Sequence, residues 1–232
     1  MKSLFPSAKA LKHVVEKYGA IEGGKQHLTR LSEFLPTLSA SKTSSATTAS
    51  GAASANGPSS SAANPFSITR VFRAPRELVV KAWTERDQLA KWFGPKGSQV
   101  IDAKLDLRVG GTFHYGLKSS DGSVMWGRWK FEELALPGRM VFVSSFSDPK
   151  GGLARAPFFD GKWPLETHSV VTFSEHAGIG KGTVVKLEWV PLRATAEELA
   201  LFASMHDSMR GGWGGTFDQL DEHLQATAAA RR

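Results

Sequence analysis

The 232-residue chain has no cysteine and only two tyrosines, Tyr18 and Tyr115. The first absence excludes a disulfide framework and any thiolate nucleophile or ligand. It suits a reducing compartment, so a cytoplasmic location is expected. No apolar run approaches the roughly 18 residues of a transmembrane helix, and no membrane span is expected. The seven histidines (His13, His27, His114, His168, His176, His206 and His223) never fall at metal-ligand spacing. G-x-S-x-G is missing, and the Gly-Gly pairs lack the Lys-Ser/Thr of a phosphate loop. RVGGTF (108–113) is therefore a turn between strands. Neither a metal nor a cofactor is called for, and no catalytic residue is identified.

Charge of one sign is also scarce where it would matter. The formal net charge is +7, but residues 1–64 hold seven Lys/Arg and three Asp/Glu, leaving 22 and 19 beyond them. A body so balanced has no basic stripe, which argues against a nucleic-acid partner.

Apolar residues are nearly absent from 36–64, a Ser, Ala, Thr and Gly stretch that ends at Pro65. Such a run buries too little to offset the entropy of ordering, and is expected to be a disordered linker. It separates a short helical segment, 1–35, from a body of ordinary single-domain size, 65–226, followed by a flexible tail, 227–232. MKSLFPSAKALKHVVEKYG is amphipathic and Lys-bearing, like a transit peptide. Glu16, Glu22 and the lack of Arg before Arg30 weigh against that reading.

What is abundant in the body is alternation. FSITRVF places Phe66, Ile68 and Phe72 on one strand face. A helix follows Pro75 and a second runs from Thr84 or Glu85 to Phe93, where Gly94-Pro95 stops it. Ile101, Ala103, Leu105 and Leu107 then alternate with Asp102, Lys104 and Asp106. Phe113, Tyr115 and Leu117 share a face, and Ser120-Asp121-Gly122 is a hairpin signal. VMWGRWKFEEL, RMVFVSSF, HSVVTFSE and TVVKLEWV complete six consecutive strands of the half-buried antiparallel type. Thr195 with Glu198 is a capping-box pattern. Leu199, Phe202, Met205, Met209, Trp213, Phe217, Leu220 and Leu224 then recur at helical spacing, predicting one continuous helix of about seven turns. Within it, the glycines flanking Trp213 (Gly211, Gly212, Gly214, Gly215) predict a point of close packing around a buried Trp213.

The body resembles the activator-of-heat-shock-protein-90-ATPase homologue family, within the START-like (SRPBCC) helix-grip superfamily. APRELVVKAWTERDQLAKWFGPKG, DLRVGGTFHY, WGRWKFEELALPGRMVF and MRGGWGGTFDQLDEHL carry the resemblance in family order. It implies an α+β helix-grip fold: a curved antiparallel sheet wrapped round a long C-terminal helix, with two short helices after the first strand. It also implies an apolar space between sheet and helix, suited to a small hydrophobic ligand. The lining expected from it is Phe113, Tyr115, Trp129, Phe131, Trp189, Phe202, Met205 and Met209, with Trp92 and Phe93 as core first and pocket rim second. Only Tyr115 is placed to orient a ligand, since strand parity turns His114 and Arg128 to the other face.

The resemblance carries two further function classes. One is a co-chaperone that binds or stimulates the heat-shock protein 90 ATPase. Such activators have a separate N-terminal domain, and residues 1–64 are too short and too Ser/Ala-rich to supply it. The other is an enzyme of the polyketide-cyclase kind, for which no acid–base pair is evident. Ligand binding without catalysis is the leading expectation. EGGKQHLTRLSEFL (22–35) also aligns on GGWGGTFDQLDEHL (211–224) at a constant offset, matching Gly23, Leu28, Leu31, Glu33 and Leu35 to Gly212, Phe217, Leu220, Glu222 and Leu224. The segment then reads as a remnant of a duplicated domain whose apolar face docks on the body or on a second chain.

Overall fold

The computed structural model describes residues 64–178 and 182–230. The expectations for 1–35 and for nearly all of 36–64 lie outside the described residues. Strand β1 (Phe66–Phe72) leads into helices α1 (Arg76–Thr84) and α2 (Arg86–Trp92). Six strands follow, β2 (Gln99–Leu105), β3 (Thr112–Lys118), β4 (Val124–Ala135), β5 (Arg139–Phe146), β6 (Glu166–Glu175) and β7 (Thr183–Leu192). Helices α3 (Ala196–Ser204) and α4 (His206–Ala229) close the chain.

All seven strands form one antiparallel sheet in the order β1-β7-β6-β5-β4-β3-β2. Each of β2 to β7 pairs with its sequence neighbour, and only β1 pairs across the chain, with Phe66 opposite Trp189. Alternation sends Phe66, Phe113, Trp129, Phe142, Val171 and Leu187 into the interior, where Trp213, Phe217, Leu220 and Leu224 of α4 meet them. This is the α+β helix-grip architecture.

Three local details differ from the sequence reading. The β2 alternation stops early: a register shift falls between Ile101 and Lys104, with Asp102 at φ 47, and the strand ends at Leu105. Leu107 is left on the surface. The final helix is two helices, because Met205 (φ −95, ψ 1) ends α3 and begins α4. Met205 is thus the break in the stripe, while Phe202 and Met209 lie on separate helices. Finally, Trp213 is buried, but the glycines around it are not a close approach. A Cβ on Gly211, Gly212 or Gly214 would meet nothing within 4 Å.

The contact between α4 and the chain after α2 is made two residues further on. Thr216 Oγ1 donates to the Gly94 carbonyl at 3.0 Å, and Gln219 Nε2 donates to the same oxygen at 2.6 Å. Gly94 sits at φ +120, which only glycine adopts freely, and its carbonyl is thereby presented to the helix.

Candidate functional site

The interior aromatics divide into two groups. In the first, Trp83 of α1 stacks on Trp129 (6.1 Å between ring centroids) and on Trp213 (6.3 Å). Trp92 lies 5.0 Å from Trp83, and its Nε1 donates to the Ala82 carbonyl at 2.8 Å. Phe93 meets Trp129 edge-on at 5.0 Å and Tyr115 at 4.9 Å, while Phe113 contacts Tyr115 at 4.8 Å and Trp129 at 4.9 Å. Phe142 stacks on Trp129 at 4.3 Å and has Phe131 at 6.3 Å. These contacts gather Phe113, Tyr115, Trp129, Phe131, Trp92 and Phe93 into one block. All but Tyr115 are buried, so Trp92 and Phe93 stand in the core.

Tyr115 is held by its neighbours. Burial pushes the phenol far above its ordinary pKa, and the Trp129 side chain opposes that shift only in part. Its ring lies over Gly127 on the next strand, where a Cβ would come within 2.6 Å of Tyr115 Oη. Gly127 is the residue that makes room for it.

The second group lies where β1, β7, α3 and the start of α4 meet. Phe66 has Trp189 at 6.0 Å and His206 at 5.7 Å. Phe202 contacts His206 at 5.3 Å and Trp163 at 5.5 Å, and Trp189 contacts Trp213 at 5.5 Å. Phe66 and Phe202 are fully buried, whereas Trp163, Trp189, Met205, His206 and Met209 are half-buried. The interior therefore reaches the surface along this seam. Two of its polar atoms, Trp189 Nε1 and His206 Nε2, are buried without a hydrogen-bond partner. Burial, and then the charge of Arg210, hold His206 below its ordinary pKa, so the imidazole is neutral at pH 7.

The segment between β5 and β6, featureless in sequence, borders this seam. Phe146, Phe158, Phe159 and Trp163 contact one another in succession at 5.3, 5.0 and 5.6 Å, ending on Phe202. Two ion pairs fasten the segment to α3. Arg155 Nη1 meets Glu198 Oε1 at 2.5 Å, and Lys162 Nζ meets Glu197 Oε1 at 2.6 Å. The same Arg155 nitrogen donates to the carbonyls of Gly161 and Trp163. Glu198 also completes the capping box, accepting from the Thr195 N–H at 2.8 Å while its own N–H donates to Thr195 Oγ1 at 3.2 Å. The Thr195 N–H and Arg155 together hold its carboxyl below the usual range, burial opposing them.

Polar residues on the outer sheet face serve the fold. His114 Nε2 lies 3.1 Å from the Asp148 carbonyl, and Arg128 Nη1 donates to the Gly151 carbonyl at 2.9 Å, as parity required of both. Away from all of these, a surface groove of about 360 Å³ is lined by Arg73, Asp221, Leu224, Gln225, Ala228 and Ala229. Among the described residues no group of three or more His, Asp or Glu could hold a metal ion, and no helix is long and apolar enough to cross a membrane.

The curved antiparallel sheet packed against a long terminal helix defines a helix-grip domain of the START-like class. Solved structures agree with that class. A protein of Nitrosomonas europaea aligns at 25% identity and TM-score 0.57, over 72% of this chain and 98% of its own. One of Arthrobacter aurescens aligns at 26% and 0.58, over 71% and 87%. An AHSA1 protein of Silicibacter pomeroyi, at 16% identity and TM-score 0.54 over 70% and 99%, shares the fold. Comparison with curated proteins returns no match. The profile of the family described as "Activator of Hsp90 ATPase homolog 1-like protein" matches residues 73–225, and the chain belongs to that family.

Proposed function

We propose that this domain binds a small hydrophobic ligand, without catalysis, between the sheet and its C-terminal helices. One observation carries the reading. Trp163, Trp189 and Met209 pack against the core yet remain half-exposed, where most large side chains of the same interior are closed off. Apolar surface left open beside a packed core is characteristic of a binding site. Of the lining residues, Trp189, Phe202, Met205 and Met209 belong to this seam, whereas Phe113, Tyr115, Trp129 and Phe131 support it from the neighbouring block. Met side chains adapt their shape to a ligand at little cost.

Mass spectrometry of the natively purified protein tests the proposal. An apolar molecule released on denaturation is the expected result. Protein that is free of any such molecule, and that fails to enhance the fluorescence of a hydrophobic dye, would overturn it. The family description supplies a second reading, a co-chaperone of heat-shock protein 90. Pull-down of the chaperone together with a measured rise in its ATPase rate distinguishes the two.

A further inference from the structure

We infer that the ligand of this seam is an apolar molecule carrying a neutral hydroxyl or carbonyl oxygen, and that Trp189 and His206 receive that oxygen. The inference rests on the ligand-binding reading above and specifies its chemistry.

Trp189 Nε1 and His206 Nε2 are buried and unpartnered, and both rings pack on the single ring of Phe66. Two polar atoms without partners thus flank one benzene ring in a seam that is otherwise Trp, Phe and Met. A buried donor that makes no hydrogen bond is costly, and native interiors rarely tolerate one. An indole N–H donates only, so its match is an acceptor. A neutral imidazole nitrogen donates or accepts according to tautomer, so a hydroxyl oxygen is a match for either atom. A carbonyl matches the imidazole when Nε2 carries the proton.

Two polar side chains near the pair make hydrogen bonds elsewhere. Ser169 faces Trp189 directly across the β6–β7 register, but its hydroxyl is paired with Ser144 Oγ at 3.0 Å and with the Thr167 carbonyl at 3.3 Å. Arg210, whose guanidinium lies 5.8 Å from the Phe66 ring centre, is turned to the Ser67 carbonyl. The buried Trp83 Nε1 also lacks a partner, but Trp83 has no exposed surface and is ringed by Trp92, Trp129, Phe173 and Trp213. Trp189, by contrast, is only partly buried as a residue.

The test compares 2-octanone, 1-octanol and n-octane, each titrated into the full chain while the indole N–H resonances are followed by NMR. Trp189 is assigned through Trp189→Phe. After correction for each probe's transfer from water to alkane, the two oxygen-bearing probes should bind roughly tenfold more tightly than octane. They should also move the Trp189 indole proton downfield. In Trp189→Phe the affinity of the two oxygen-bearing probes relative to octane should shrink several-fold, whatever the change in octane binding itself. Equal corrected affinities, or an unmoved Trp189 proton, would overturn this inference and leave the hydrophobic-ligand reading standing. If none of the three binds, both fall. Should Trp189→Phe not fold, the ranking of the probes on the natural chain still decides, with His206→Phe as the second variant.

Discussion

The two halves of the interior are built from the same residue types and behave differently. Around Trp83, rings enclose one another and the Trp92 indole N–H is bonded within the chain, while the Trp83 N–H is unpaired but fully enclosed. Around Phe66, the rings are spaced as closely, but Trp189, Trp163 and Met209 keep surface exposed and two polar atoms stay unpaired. Aromatic content alone therefore does not distinguish core from site. Unpaired polar atoms combined with partial exposure are what mark the proposed site.

The sharpest way to break this comparison is to make one change in both halves. Trp83→Ala should cost about 3–5 kcal/mol in chemical denaturation, because a fully enclosed ring leaves a cavity that its neighbours only partly fill. Trp189→Ala should cost less than half as much, since that ring is only partly buried. Equal costs would mean that the seam is ordinary core.

A smaller effect is expected where the β5–β6 segment is fastened. Glu198→Gln keeps the shape of the side chain but removes its charge, and should destabilise by about 1–2 kcal/mol. Glu198 has a lowered folded-state pKa, so its charge contributes stability above the ordinary glutamate range. That contribution is lost as pH falls through the lowered value. The gap between the natural chain and Glu198→Gln should accordingly be constant from pH 7 to 5 and close on further acidification. A gap that persists at pH 2 would show that the charge is not its source.

The smallest change runs the other way. Gly212→Ala adds a methyl group to open space within a helix, and should stabilise by roughly 1 kcal/mol. A loss of stability would restore close packing as the reason for the glycine.

Much of this architecture could be read from the sequence because its signals are local. Strand alternation, the Gly94-Pro95 stop and the Thr195–Glu198 cap each involve residues within a few positions of one another. The break at Met205 carries no such signal, since neither Gly nor Pro marks it and the apolar spacing continues across it. The seam was only half legible. Trp189, Phe202, Met205 and Met209 are apolar positions in a periodic pattern, but His206 is in sequence only one of seven scattered histidines. Trp163 and the Arg155–Glu198 pair bridge an irregular segment and a helix, a pairing that no periodicity encodes. The glycines of α4 misled for a related reason: whether a small residue faces a neighbour or solvent depends on helix rotation, which tertiary contacts decide.

The strand order has a consequence for how the chain assembles. From β2 to β7 every neighbour in the sheet is also a neighbour in sequence, so this part can zip up hairpin by hairpin, with the β5–β6 segment as its one long connection. The pairing of β1 with β7 is the exception, because it joins the two ends of the domain across all the strands between them. Closing that long loop is the entropically demanding event of folding, and it also brings Phe66 against Trp189. The seam thus depends on a contact between the first and last strands of the sheet.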